Sequence, residues 1–146
     1  AAAMLRPQLA ILNQRTERWN RLYSELESQL RHIPGVALPE RLRKEQYVGS
    51  SIQFNLHGMN YSQMKEFLTK CRNRGVFLKW FGSKTPEGYN STHNSWEYFP
   101  ESVDVPQTDA VLVSLVDMRI PLGAEMRDMT AIAKSIASAL ADIDNR

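Results

Sequence analysis

The sequence predicts an α+β fold, an α/β sandwich in which a long N-terminal helix precedes a small, mainly antiparallel, three-stranded sheet with helices on one face. Three observations predict it. Apolar residues recur at helical spacing over residues 5–33, one central segment alternates strictly between apolar and polar side chains, and two further amphipathic stretches carry helix start or stop signals. Read in order, they give α–β–α–β–β–α.

The first element runs from Leu5 to Ile33. Its apolar residues Leu5, Leu9, Leu12, Trp19, Leu22, Leu26, Leu30 and Ile33 are spaced by steps of three, four and seven, which draws one stripe along a helix. Arg15, Glu17, Arg18, Arg21, Glu25 and Glu27 fall on the opposite, solvated face. Pro7 is expected in the first turn, where its missing N–H has no partner to lose, or at a kink if helix precedes Ala1. Pro34 and Gly35 end the element, and Pro39 keeps the following stretch extended. A helix with this stripe cannot bury it alone, so it packs on this domain's sheet, on another domain or on another subunit.

Tyr47 to Leu56 reads as a strand, with Ile52, Phe54 and Leu56 alternating against Ser51, Gln53 and Asn55. Asn60 and Gln63 have the spacing of a capping box, which opens a helix from Tyr61 to Arg74. That helix is expected to bury Met64, Phe67, Leu68 and Cys71, with Gly75 as its left-handed stop. Val76 to Phe81 is a second strand. Gly82 to Pro106 is a long loop holding Tyr89, Trp96, Tyr98 and Phe99, and structureless loops of that length are usually functional or misassigned. Ala110 to Ile120 is a third strand whose apolar start, Ala110 to Val113, suits a central position; Pro121 stops it. A last helix, Glu125 to Ile143, is expected to bury Met126, Met129, Ala133, Ile136, Leu140 and Ile143.

Composition bounds the function. The 146 residues suffice for one domain with a real core, and 42% apolar with 23% charged residues is a globular balance. A net charge of +2, from 18 basic and 16 acidic residues, lacks the clustered excess of a nucleic-acid binder. The densest basic run, Arg41-Leu42-Arg43-Lys44, reads as a solvated loop or strand entrance. Cys71 is the only cysteine, so no intrachain disulfide forms, and a reduced, cytoplasmic setting is expected. No apolar run approaches the roughly 18–20 residues that span a bilayer, and no membrane association is expected. The N-terminus has no signal-peptide layout and the first residue is not methionine, so a piece of a longer chain is expected.

Chemistry-bearing motifs are sparse. There is no Gly-rich phosphate loop and no metal-ligand spacing, and His32, His57 and His93 are scattered. Cys71 lies on an apolar helix face as an inert thiol. Lys79 and Lys84 lack the desolvating pocket that a Schiff-base lysine requires. Arg119 closes an apolar strand, where a guanidinium can offer two parallel donors to a carboxylate or phosphate. Period-two alternation also places Asp117 on the same face, so a local ion pair is the competing reading. The long loop offers Lys84, His93, Asn94, Trp96 and Glu97 as binding groups, while Trp96, Tyr98 and Phe99 serve equally well as anchors that pin the loop.

Three stretches, taken in order and spacing, carry a resemblance. Ala2-Ala3-Met4-Leu5-Arg6-Pro7-Gln8-Leu9 resembles the helix that follows the cofactor-binding region in DegT-type aminotransferases of fold type I. Arg74-Gly75-Val76-Phe77-Leu78-Lys79-Trp80-Phe81-Gly82 resembles the helix–Gly–strand passage of the small C-terminal domain in a subgroup of that family. Asp117-Met118-Arg119-Ile120-Pro121-Leu122, with the helix after it, resembles that subgroup's closing strand and helix, although Gly123-Ala124-Glu125 stands where a Ser or Thr cap is usual.

The resemblance implies a linking helix over residues 1–34 and an aminotransferase small domain over 35–146. It implies pyridoxal phosphate in the full-length protein, held by residues upstream of Ala1, so that no catalytic, cofactor-binding or metal-binding residue is expected in this chain. It also implies a missing N-terminal large domain, a homodimer, and a small amino donor and keto acceptor as substrates. Arg119 would then anchor a substrate carboxylate, and His93 and Trp96 would border the cleft. The Asp-Met-Arg-Ile-Pro segment departs from the pattern of the relatives that act on keto-sugar nucleotides. The rival reading is a stand-alone α+β interaction or regulatory module that docks through its long helix; a third is a degenerate relative without chemistry.

Overall fold

The computed structural model of the chain describes residues 2–42, 44–85 and 104–144. Its elements are α1 (Ala2–Ala10), α2 (Leu12–Leu30), β1 (Val36–Ala37), β2 (Ser51–Leu56), α3 (Tyr61–Asn73), β3 (Lys79–Trp80), α4 (Pro106–Leu112), β4 (Leu115–Arg119) and α5 (Met126–Asp144). The sheet has the order β1-β2-β4-β3, and every neighbouring pair is antiparallel. Ile52 lies opposite Met118 and Phe54 opposite Val116, so the apolar set of β2 and that of β4 share one face. Leu22, Leu26 and Leu30 from α2, Met64, Phe67 and Cys71 from α3, and Met129, Ala133, Ile136 and Leu140 from α5 join that face in a single core.

Local signals explain why the helices start and stop where they do. Asn60 accepts from the Gln63 backbone N–H at 3.0 Å, and Gln63 Oε1 accepts from the Asn60 N–H at 2.9 Å, a complete capping box. Gly75 follows α3 at φ +80°, the left-handed conformation that glycine enters without a Cβ penalty. Before α5 the Glu125 backbone N–H donates to the Asp128 carboxylate at 2.8 Å, the reciprocal half of a capping box, while the Asp128 N–H bonds the Glu125 carbonyl at 3.0 Å.

The α+β class is as expected, and several boundaries differ. The sheet has four strands, not three, because Val36 and Ala37 pair with Leu56 and Asn55. Two residues are too few to show alternation in a sequence. The third strand of the expected order begins at Leu115, not Ala110. Pro106 opens α4 in its place, with Asp109 in the first turn, and Val111 and Val113 are exposed. The apolar run at 110–113 is therefore no central strand, although β4, starting just after it, is central. The first strand begins at Ser51 rather than Tyr47, and the second shrinks to Lys79–Trp80, with Phe77 67% exposed.

The long N-terminal helix is broken at Ile11, whose N–H reaches back only three residues to the Gln8 carbonyl. Pro7 lies inside α1, beyond its first turn. Of the expected stripe Leu22, Leu26 and Leu30 are buried; Leu5, Leu9 and Leu12 are 55%, 67% and 48% exposed. Met126 is also exposed, since it is the first residue of α5 and the buried stripe starts one turn later.

Gly49 shows how tightly α2 seats on the strand entrance. A Cβ there would stand 2.5 Å from the Tyr23 Cβ and 3.2 Å from the Trp19 carbonyl oxygen, both rigid neighbours. Gly49→Ala is expected to destabilise the fold by about 1–3 kcal/mol through overpacking, read as a lowered urea midpoint with an unchanged slope.

Candidate functional site

Alternation that buries one face of the sheet leaves the other face polar. β2 contributes Ser51, Gln53 and Asn55 to it, β4 contributes Leu115, Asp117 and Arg119, and β3 adds Lys79. The register sets Gln53, Asp117 and Lys79 in one row across three strands and Ser51 beside Arg119 in the next. Directly opposed residues have Cβ atoms about 4.5–5.5 Å apart, so Asp117 is flanked by an amide and an ammonium side chain. Asp117 is only 8% exposed, whereas Arg119 is exposed. Among the described residues no ion pair joins Arg119 to Asp117. The local pairing that the sequence allowed therefore does not form.

The strand end that carries Arg119 is held by three consecutive residues of α2. Trp19 Nε1 donates to the Ile120 carbonyl at 3.0 Å, next in the chain to Arg119. Arg18 donates from Nε to the Leu122 carbonyl at 2.7 Å and from Nη2 to the Ala124 carbonyl at 2.8 Å. Asn20 Nδ2 donates to the Tyr47 carbonyl at 3.0 Å, while its Oδ1 accepts the Gly49 N–H at 2.7 Å. Arg18 is therefore not a merely solvated residue of the helix's outer face. Helical periodicity could not reveal it, because the guanidinium reaches loop carbonyls more than a hundred positions away in sequence.

The basic run at 41–44 is likewise only partly solvated. The Arg41 guanidinium lies 3.7 Å from the Tyr47 ring centroid and 4.6 Å from that of Tyr23, and these two rings meet edge-on at 5.3 Å. Leu42 and Lys44 are exposed, as expected. Burial pushes the Tyr23 phenol above its ordinary range, against the opposing effect of Arg41.

His93 and Trp96, expected to border a cleft, lie outside the described residues, as do Asn94 and Glu97. Lys79 and Lys84 are exposed, and Lys84 Nζ lies 5.2 Å from the Tyr61 ring centroid. Pyridoxal phosphate requires a lysine in a desolvating pocket and a partner for the ring nitrogen. Among the described residues no lysine is buried, and Lys70, the least exposed, is engaged by Glu66 and Asp142. The residues present do not fit that cofactor. No group of three His, Cys, Asp or Glu side chains is placed to hold a metal ion among them, and no described helix is long and apolar enough to cross a membrane. Cys71 is fully buried, and burial pushes its thiol up to about 12, so it stays protonated and unreactive.

No family model and no curated protein matches the sequence. Solved structures do match the fold. Against 3-amino-5-hydroxybenzoic acid synthase the TM-score is 0.74 at 21% identity, covering 97% of this chain and 38% of that one. The aminotransferase TlmJ from Streptoalloteichus hindustanus gives 0.73 at 12% identity, over 94% and 35%. DesV of S. venezuelae, determined in complex with a ketimine intermediate, gives 0.72 at 18% identity, over 94% and 35%. The chain thus has a fold contained in these larger proteins and spans little more than a third of their length.

Burial of Cys71 has a direct chemical readout. The native chain is expected to resist iodoacetamide at pH 8 and to be alkylated stoichiometrically once unfolded in urea, which mass spectrometry distinguishes; rapid labelling of the native chain would contradict the buried thiol.

Proposed function

We propose that this chain is the C-terminal small domain of a DegT-type aminotransferase, an enzyme that uses pyridoxal phosphate to transfer an amino group to a keto substrate. One observation carries the reading: nearly the whole chain superposes on roughly a third of solved proteins that include aminotransferases. In this reading residues 1–34 link to an upstream large domain and 35–146 form the small domain. The cofactor supplies the electron sink for amino transfer and is held by residues outside this chain.

One structural feature supports it. The stripe Leu5 and Leu9 on α1, continued by Leu12 at the start of α2, is exposed, as expected of a helix whose partner surface lies elsewhere in a longer chain or in a second subunit of a homodimer.

Within that enzyme Arg119 anchors the carboxylate of an amino donor or acceptor by paired N–H donors, and His93 and Trp96 border the cleft. A homodimer in the cytoplasm acting on small amino and keto compounds completes the proposal. The departure of residues 117–121 from the sugar-enzyme pattern favours a carboxylate-bearing partner over a sugar nucleotide for the Arg119 contact.

Two experiments test this. The 146-residue chain, mixed with pyridoxal phosphate and reduced with borohydride, is expected to show no stoichiometric adduct at any single lysine; one such adduct would overturn the fragment reading. In the full-length enzyme, Arg119→Gln is expected to raise KM for a carboxylate-bearing amino donor by about 10–100-fold, the worth of a charge-assisted contact of about 1.5–3 kcal/mol. Donors without a carboxylate are expected to be unaffected. Equal losses for both donor types would remove Arg119 from the substrate site.

A further inference from the structure

Helices α1 and α2 share one seam. Leu5, Leu9, Leu12, Thr16, Trp19, Tyr23, Leu26 and Leu30 follow one another by alternating steps of four and three, the heptad repeat that seats one helix against another. The two ends of this seam have opposite surroundings. Tyr23, Leu26 and Leu30 are buried in the core, and Trp19 packs against it. Every side chain from Leu5 to Gln14 is exposed, the three leucines by about half or more. Ten residues at about 1.5 Å each make this bare stretch roughly 15 Å long.

Composition makes that exposure costly. Six of the nine residues of α1 are Ala, Leu or Met, and Pro7 within it removes a backbone donor. A helix so short is marginal in water without tertiary packing. Charge then selects what can cover it. Arg6 and Asn13 flank one side of the leucine seam, and Gln8 and Arg15 flank the other, at the heptad positions that face a partner's rim. No acidic residue precedes Glu17, which the repeat turns away from the seam, and neither arginine makes an ion pair among the described residues. A second copy packed on this seam would bring four guanidinium groups together without a carboxylate, and like charges oppose such pairing. Three half-exposed leucines also offer only on the order of a few hundred Å², against about 1,200 Å² in the smaller stable complexes. Apolar burial alone would not hold two copies against that repulsion.

We propose that the bare seam docks an amphipathic helix with an acidic rim, its apolar knobs set between Leu5, Leu9 and Leu12 and its carboxylates facing Arg6 and Arg15. The alternating four-three spacing fits the holes of a facing helix, and the one-signed rim fits only a partner of opposite sign. This goes beyond the aminotransferase reading and does not rest on it, because the test measures helix docking without cofactor or substrate. Its failure leaves that reading where it stands.

The test uses two labelled synthetic peptides of about three heptads, both with Leu at the seam positions, one with Glu and the other with Lys on the rims. Like-charged rims keep each peptide from pairing with itself. Titrated with the 146-residue chain at low salt and followed by fluorescence anisotropy, the Glu peptide is expected to saturate below about 1 mM. The Lys peptide is expected to bind at least about tenfold more weakly, and the gap to narrow as salt screens the charges. Leu5→Ser/Leu9→Ser is expected to abolish binding with an unchanged unfolding temperature, since both side chains are exposed. Arg6→Gln/Arg15→Gln is expected to remove the preference for Glu. The control Phe77→Ser, at an exposed apolar residue off the seam, is expected to bind as the parent does. Equal binding of the two peptides, no saturation by the Glu peptide below about 1 mM, or equal weakening in the control would overturn the proposal. So would sedimentation showing a dimer of the chain that Leu5→Ser/Leu9→Ser makes monomeric, which assigns the seam to a second copy.

Discussion

Five residue pairs between β2 and β4 determine which side chains turn inward, and the remaining architecture is arranged around that choice. Opposing Ile52 to Met118 and Phe54 to Val116 puts the largest apolar groups of both strands on one face. A slip of one residue would place Gln53 and Asp117 in the core and the apolar set in water, so the register is strongly specified. Once it is set, α2, α3 and α5 have only one surface on which to bury their stripes. The opposite face, with Gln53, Asp117, Lys79 and Arg119, is left polar by the same alternation.

Helix α2 does more than cover the sheet. Its leucines drive docking without direction, since burial of apolar area is indifferent to small rotations. Arg18, Trp19 and Asn20 supply the direction, through five hydrogen bonds to the loops that enter β2 and leave β4. Partly buried carbonyls at strand ends need donors, and three adjacent helix residues provide them. Because the Ile120 carbonyl is one of these acceptors, the orientation of the helix and the position of Arg119 are mechanically joined. A linking helix that moved relative to the sheet would have to break these bonds first. Gly49 belongs to the same contact, for any side chain there would push Tyr23 and α2 away.

Electrostatics follow the packing in a similar way. Where α3 meets α5, Lys70 and Arg74 find Glu66 and Asp142, and helix packing brings the opposite charges into range. Such half-exposed pairs are each worth little, about 0–1 kcal/mol, so they tune the helix contact rather than create it. On the side facing β3 the same helix carries Lys65 and Arg72, which make no ion pair among the described residues.

Much of this was readable from the residues alone. The alternation of Ser51–Leu56, the Asn60–Gln63 cap, the Gly75 stop and the period of α5 are all encoded within a few positions, because backbone hydrogen bonding and side-chain direction repeat locally. The α+β class and the inert Cys71 followed from the same local patterns. What needed the tertiary structure was whatever rests on partners far apart in sequence. The two-residue strand β1 exists only because Leu56 and Asn55 offer it an edge, and the apolar run 110–113 is helix and turn, with β4 pairing to β2 only from Leu115. The stripe of residues 5–33 looked continuous, yet only its second half meets this core. For the candidate site, the sequence by itself determined that Arg119 closes a strand with Asp117 on its face. Only the folded sheet decided that the two do not pair and that Arg18 and Trp19 hold the adjoining loop, since hydrogen bonds across a hundred residues leave no trace in local periodicity.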